Sequence, residues 1–210
     1  LQRMVSARRN TFLQKQSGII MSNHLSKKLQ DSYRSNGFVI GKRLLNTESI
    51  THIKKQAHRI ICKQLERFEI TTQNDLLTDM NLLLQKDVSA YLGSLRLLAK
   101  MGCVRNLISS QVIEEAVQDL GCQLATISES PVFHVISDSL KIPNGYFGFS
   151  AHQDWTSIQG ALDVIVVWIP LHPVNKRTFP LMVIPKSNQK GLFAGIIEEN
   201  VYKVDESQID

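Results

Sequence analysis

The spacing of apolar residues divides the chain into a helical first half and a strand-like second half. From Thr47 to Phe68 apolar residues recur at intervals of three and four, which predicts one long amphipathic helix. The same criterion predicts helices at 31–36, at 75–101 with a break near Lys86-Asp87, and at 111–120. Gly37 and Gly121 follow two of these segments, where glycine commonly ends a helix.

After Gly121 the pattern changes to short runs of β-branched and aromatic residues separated by Pro, Gly, Asn and Ser. The predicted strands are Cys122–Ser128, Val132–Ser137, Tyr146–Ser150, Leu162–Leu171 and Leu181–Ile184. Helices followed by consecutive strands indicate an α+β fold, in which the helices support an antiparallel sheet, sandwich or barrel. We therefore predict one domain at 31–210, mainly helical over 31–121 and mainly β over 122–210, after a tail at 1–30.

The net charge of +5 is concentrated in the tail, since residues 1–30 carry six basic residues and no acidic one. The rest of the chain is close to neutral, so a nucleic-acid-binding surface is not expected. No apolar run is long enough for a membrane span. Three scattered cysteines suit free thiols in a reducing compartment and favour a cytoplasmic location. The basic, acid-free composition of residues 1–22 is also typical of an organellar transit peptide. An over-extended reading frame or a disordered tail would explain this composition equally well.

His152 and Asp154 are the residues most suggestive of chemistry. Two residues apart on a strand, their side chains point to the same face and can reach one ion. An imidazole and a carboxylate are two members of the 2-His-1-carboxylate triad that binds non-haem Fe(II). The spacing alone is weak evidence for a metal site, because a chain of this composition is expected to contain roughly 0.5 His-x-Asp/Glu triplets by chance. A Ser/His/Asp hydrolase built on Ser150 or Ser157 is disfavoured, because residues so close on one strand do not reach triad geometry.

The surrounding motifs resemble those of the phytanoyl-CoA dioxygenase family of Fe(II)/2-oxoglutarate-dependent oxygenases. Residues 180–187, P-L-M-V-I-P-K-S, are similar to the family's P-L-x-V-I-P-G-S-H. Residues 36–40, N-G-F-V-I, are similar to the family's opening segment. The other matching segments, in chain order, are Lys141-Ile142-Pro143, His152-Gln153-Asp154-Trp155 and Val166–Leu171.

This resemblance implies helices packed on a double-stranded β-helix, or jelly roll, with His152 and Asp154 as iron ligands. It implies that Lys141 contacts 2-oxoglutarate and that Trp168 lines the cosubstrate pocket, although a solvated lysine and a core tryptophan are the alternatives. Trp155 and Thr156 follow the ligands and are candidates for substrate contact. The implied reaction couples oxidative decarboxylation of 2-oxoglutarate to hydroxylation of a small organic substrate by dioxygen. Substrate identity and oligomeric state are not predicted.

Two features depart from the family pattern. The family's second iron-binding His lies far downstream of the Asp and is usually followed by an Arg that binds 2-oxoglutarate. Here His172 is the last histidine, and it lies in a turn where the family usually has no ligand. We therefore expect an incomplete jelly roll, truncated at its C-terminus and lacking this His and Arg. The alternatives are a catalytically inactive jelly roll serving binding or assembly, and a cupin-like metal enzyme that uses His172.

Overall fold

Six α-helices make up the first part of the chain in the computed structural model. The structure describes residues 24–127, 130–142, 151–154, 156, 164–198, 201–205 and 207. The helices are α1 Lys27–Asn36, α2 Thr47–Arg67, α3 Leu76–Lys86, α4 Val88–Ala99, α5 Gly102–Ile108 and α6 Gln111–Asp119. The predicted long helix, the two helices on either side of the break and the helix after Ser110 are confirmed. Helix α1 begins four residues earlier than predicted, and the seven-residue α5 was not predicted.

Side-chain caps explain where several of these helices begin. Asn46 accepts a hydrogen bond from the Glu48 N–H at the start of α2, and Asp75 accepts one from the Thr78 N–H at the start of α3. Asp87 both ends α3 and caps α4, accepting from the Ala90 N–H at 2.8 Å. Its extended backbone (φ −158°) is the predicted break. These short polar side chains satisfy N–H groups that have no partner inside their own helix.

The hydrophobic core lies where α2 packs against α3, α4 and α5. The apolar stripe of α2 is buried there, with Ala57, Ile61 and Leu65 at 0% exposure. Leu83 of α3 and Leu98 of α4 are equally buried. A short 3-10 turn at Asp138–Leu140 joins this core through Leu140, which is 6% exposed. The first helices therefore form a packed scaffold that extends to the residue just before Lys141.

The predicted jelly roll is wrong for the part of the chain that the structure describes. There, β-structure is limited to an antiparallel hairpin of β1 Gly195–Glu198 and β2 Val201–Val204, which was not predicted. The described parts of the predicted strands at 122–128, 132–137, 162–171 and 181–184 contain no strand. The predicted strand Tyr146–Ser150 lies outside the described residues.

The exposure of these segments gives the physical reason for that error. Val166 is 57% exposed, Trp168 44% and Met182 89%. Apolar alternation predicts a strand only when neighbouring strands pair with it and cover one face. Among the described residues the segments 164–171 and 181–184 pair with no strand, so they form no sheet there.

Two segments far apart in sequence meet at the end of α1. Gly37 ends the helix in the left-handed conformation (φ 82°), and the Lys186 N–H donates to the Asn36 carbonyl at 2.8 Å. The Gln189 side chain donates to the Ser35 carbonyl at 2.7 Å. A Cβ added at Gly37 would lie 2.7 Å from Asn188 Oδ1 and 2.9 Å from its Cβ. The 186–189 turn thus supplies partners to the carbonyls that the helix leaves free.

None of the helices in the described part of the chain combines the length and hydrophobicity needed to cross a membrane.

Candidate metal site

His152 and Asp154 lie side by side. The Nε2 atom of His152 is 3.3 Å from Oδ1 of Asp154, and the two side chains are 28% and 51% exposed. Both ligand atoms are therefore close to each other and within reach of solvent. The expectation that this spacing would bring the two groups together agrees with their positions, although the peptide at Asp154 forms a turn and not a regular strand.

The residue between them fixes the segment to a later part of the chain. The Gln153 amide donates from Nε2 to the Gly191 carbonyl at 2.9 Å, and its Oε1 accepts from the Phe193 N–H at 2.8 Å. Next to it, the Ala151 carbonyl accepts from the Val204 N–H at 2.9 Å. The pair is thus carried on a backbone that is hydrogen-bonded to residues 191–193 and to β2 of the hairpin.

The other predicted site residues have different environments. Thr156 is half-buried, and both its N–H and its hydroxyl donate to the Gln153 carbonyl, at 3.2 and 2.7 Å, closing a turn after the pair. Lys141 is exposed directly after the anchored 3-10 turn. Trp168 is 44% exposed on segment 164–171, so it is not a fully buried side chain among the described residues. Trp155 lies outside the described residues.

A third ligand for His152 and Asp154 is not supplied by the part of the chain described here. Within it, one group of at least three His, Cys, Asp or Glu side chains is arranged to hold a metal, and that group lies elsewhere. His172 is exposed in its turn and does not belong to it. Among the described residues, His152 and Asp154 therefore form a pair without a third ligand, and their role as metal ligands stays a prediction.

The group that does have three ligands is formed by His58, Cys62 and Asp79. Asp79 is fully buried, yet its carboxylate accepts from the Gln73 N–H at 2.7 Å, from the Thr72 hydroxyl, and from His58 Nε2 at 2.7 Å. Burial alone would raise the pKa of Asp79, but these hydrogen bonds and the nearby imidazole outweigh burial and lower it. The side chain is therefore ionised at neutral pH.

The sequence offered a signal for this cluster that periodicity alone does not reveal. His58 lies off the apolar stripe of α2, which predicts a solvated side chain, but it is only 25% exposed and hydrogen-bonded to Asp79. Asp79 stands beside Met80 and four residues before Leu83, among the positions of α3 that face the core. An acid at a core position needs a partner. His58 and Cys62, one turn apart on α2, are available to it.

Comparison with known proteins identifies the class. The family model described as phytanoyl-CoA dioxygenase (PhyH) matches residues 33–209, which is most of the chain. The chain belongs to this family, and thereby to the Fe(II)/2-oxoglutarate-dependent oxygenase superfamily. The family assignment made from the motifs is confirmed. No curated protein and no solved structure matches the chain.

Proposed function

We propose that this protein is an Fe(II)/2-oxoglutarate-dependent dioxygenase that hydroxylates a small organic substrate, with His152 and Asp154 as two of the iron ligands. One observation carries the proposal: an imidazole nitrogen and a carboxylate oxygen lie 3.3 Å apart in a chain that belongs to this family. Neutral imidazole and carboxylate are the donor types of the facial triad.

The spacing of the two groups supports metal binding. Two ligand atoms that each lie about 2.1 Å from one divalent ion are about 3.0–3.4 Å apart, depending on the angle between them. The 3.3 Å separation of Nε2 and Oδ1 falls in this interval, so little rearrangement would be needed. The hydrogen bonds of Gln153 restrain the backbone between the ligands, which lowers the entropy lost when both side chains are fixed on an ion.

The remaining roles follow from the chemistry of each side chain. Bound Fe(II) would supply the activation of dioxygen that couples decarboxylation of 2-oxoglutarate to substrate hydroxylation. The Lys141 ammonium would pair with a carboxylate of 2-oxoglutarate. Trp168 would cover the cosubstrate, while Trp155 and Thr156, next to the ligands in sequence, would contact the substrate.

Anaerobic titration with Fe(II) and 2-oxoglutarate tests the proposal. Formation of the ternary complex should give a weak visible charge-transfer band, and aerobic incubation should release succinate. His152→Ala and Asp154→Ala should abolish both signals. His172→Ala and Asp138→Ala are controls that change a histidine and an acid outside the pair, and they should retain both. Absence of the band and of succinate in the unsubstituted protein would refute the proposal.

A second candidate is a family member that binds its ligand without catalysis. The observation that favours it is the lack of a third donor for His152 and Asp154 among the described residues. Such a protein would bind 2-oxoglutarate, measured by calorimetry, with the same affinity in the presence and absence of Fe(II). Binding that strengthens when Fe(II) is added would exclude this candidate.

A further inference from the structure

A second cluster of metal-ligating side chains lies in the helical scaffold. His58 and Cys62 are four residues apart on α2, so they project from the same face of that helix. Asp79 lies in the first turn of α3, which packs against α2. One ligand atom from each of the three residues lies within 4.8 Å of the other two. Two rigid elements therefore bring a nitrogen, a sulfur and an oxygen donor together.

We propose that His58, Cys62 and Asp79 form a binding site for Zn²⁺ or a similar first-row divalent ion, separate from His152 and Asp154. Imidazole nitrogen, thiolate sulfur and carboxylate oxygen are the three donor types that zinc uses in proteins. A thiolate and an imidazole disfavour Mg²⁺ and Ca²⁺, which prefer all-oxygen sites. Three protein ligands leave one position of a tetrahedral ion open to water or to a small ligand.

The surroundings of Asp79 orient it as a ligand. The Gln73 N–H holds Oδ1 at 2.7 Å, and the Thr72 hydroxyl donates to Oδ2. Hydrogen bonds of this kind to a coordinating carboxylate fix its direction and strengthen metal binding. The full burial of the Asp79 side chain keeps competing water away from it.

Metal binding requires only a small rearrangement. His58 Nε2 and Asp79 Oδ2 are now 2.7 Å apart and would separate to about 3.4 Å around a tetrahedral ion. The Cys62 Sγ atom would move inward, because sulfur and oxygen ligands on one zinc are about 3.5 Å apart. Cys62 already lies 3.6 Å from the Thr72 hydroxyl, which contacts Asp79. Changes in side-chain torsion angles are sufficient for both shifts.

An entry route lies on the side of the cluster where Cys62 is found. A cleft of about 410 Å³ is lined by Cys62, Glu66, Glu69, Ile70, Thr71 and Thr72. The Glu66 carboxylate at its edge is paired with Lys63, so the cleft contributes access and not an attractive charge. A metal ion could therefore reach the Cys62 thiolate without opening of the hydrophobic core.

Substitution of Cys62 can distinguish a metal site from a purely structural hydrogen-bond network. The bonds from Gln73, Thr72 and His58 satisfy the Asp79 carboxylate without any ion, and Cys62 touches that network only through Thr72. Replacing the sulfur with oxygen in Cys62→Ser keeps a similar shape and hydrogen-bonding ability. It should therefore leave a structural network intact while it weakens a zinc site.

Titration of the metal-free full chain with Co²⁺, a spectroscopic substitute for zinc, tests the inference. We expect a thiolate-to-cobalt charge-transfer band that saturates at one equivalent of Co²⁺ in the His152→Ala/Asp154→Ala double variant and is displaced by added Zn²⁺. Cys62→Ser should remove this band, and His58→Gln should weaken binding by about 100-fold. Cys122→Ser and His52→Gln are matched controls on a second free cysteine and on an exposed histidine of the same helix, and they should leave the titration unchanged.

The His152→Ala/Asp154→Ala double variant distinguishes this site from the proposed oxygenase site and should retain the cobalt band. Zn²⁺ should also raise the melting temperature of the unsubstituted protein but not that of Cys62→Ser. Survival of the charge-transfer band in Cys62→Ser would overturn the inference. Failure of the unsubstituted protein to bind Co²⁺ or Zn²⁺ at micromolar concentration would overturn it as well.

Discussion

The segments 164–171 and 181–184 contain a higher share of apolar residues than helix α2, yet several of their apolar side chains are far more exposed than the core side chains of α2–α5. Ile61 and Leu83 are 0% exposed, whereas Val166 is 57% and Met182 89% exposed. A helix satisfies its backbone hydrogen bonds within itself, so it needs neighbours only for its apolar stripe. A β-strand needs neighbouring strands for its backbone hydrogen bonds, and it needs other elements to cover its apolar side chains.

Among the described residues, polar contacts join the later part of the chain at several points, in addition to the packing of Leu171 against the core. Gln153 joins the ligand segment to residues 191–193, and Lys186 joins the 186–189 turn to α1. The helical scaffold, in contrast, is held by a continuous apolar core that contains one buried carboxylate, that of Asp79. The two regions should therefore respond differently to substitution.

The largest effect is expected for Asp79→Ala, which removes a buried carboxylate and leaves the Gln73 N–H, the Thr72 hydroxyl and His58 without this acceptor. We expect a loss of about 3–5 kcal/mol in the free energy of unfolding, measured by urea denaturation of metal-free protein. Asp31→Ala is the control, since Asp31 forms only surface ion pairs with Lys27 and Arg34 and should matter by less than about 1 kcal/mol. Equal effects of the two variants would contradict the stabilising role of the hydrogen bonds to the buried Asp79 carboxylate.

Truncation of apolar side chains compares the two regions directly. Ile61→Ala should cost about 2–5 kcal/mol, because it removes buried methylene groups and leaves a cavity. Met182→Ala, at a position 89% exposed, should change the free energy of unfolding by less than about 0.5 kcal/mol. A large cost for Met182→Ala in the same urea experiment would mean that segment 181–184 is covered in solution.

A pair of glycine substitutions tests the joint between the regions. Gly37→Ala should destabilise the protein by about 1–3 kcal/mol, because alanine is strained at φ 82° and its Cβ collides with Asn188. Gly93→Ala, inside α4 with open space at the Cβ position, should instead stabilise it by about 0.5–1 kcal/mol. Thermal unfolding gives the sign of each change, and the two signs should be opposite.

The smallest effect concerns the pH dependence of a helix cap. The hydrogen bond from the Thr78 N–H, and then that from the Thr78 hydroxyl, hold the pKa of Asp75 below its usual value. The stability that this cap contributes is present above the unfolded-state pKa, about 3.9, and is lost as the pH falls through the lower folded-state value. Asp75→Asn keeps a good capping residue without the titration. The difference in urea midpoint between the unsubstituted protein and Asp75→Asn should therefore become smaller as the pH falls from 6 to 2. An unchanged difference would contradict this account.

The sequence predicted the features that depend on local interactions. The bounds of α2, the break at Asp87 and the end of α1 at Gly37 follow from periodicity and capping, which act within a few residues. The proximity of His152 and Asp154 follows from a spacing of two residues. The predicted strands were wrong in the described residues, because strand formation depends on partners that no local pattern identifies.

The features that the sequence did not reveal are contacts between distant residues. Asp79 contacts His58 across 21 positions, and Lys186 contacts Asn36 across 150. Lys186 also adopts the left-handed conformation, with φ 66°, at the position where the resembled motif has glycine. Glycine has no steric penalty in that conformation, so the turn geometry gives a physical reason for the motif residue that lysine replaces here.

Gln153 offers a way to adjust the metal affinity of the site proposed at His152 and Asp154. Its amide holds the peptide between His152 and Asp154 by a donor and an acceptor at once. In the proposed iron site, the spacing of the two ligands would therefore be set by a residue whose own side chain does not bind the ion. Gln153→Glu would keep the acceptor for Phe193 and lose the donor to Gly191, loosening one side of the chelate while both ligands stay in place. Substitution of Gln153 would thus change the metal affinity of the proposed site without changing either ligand.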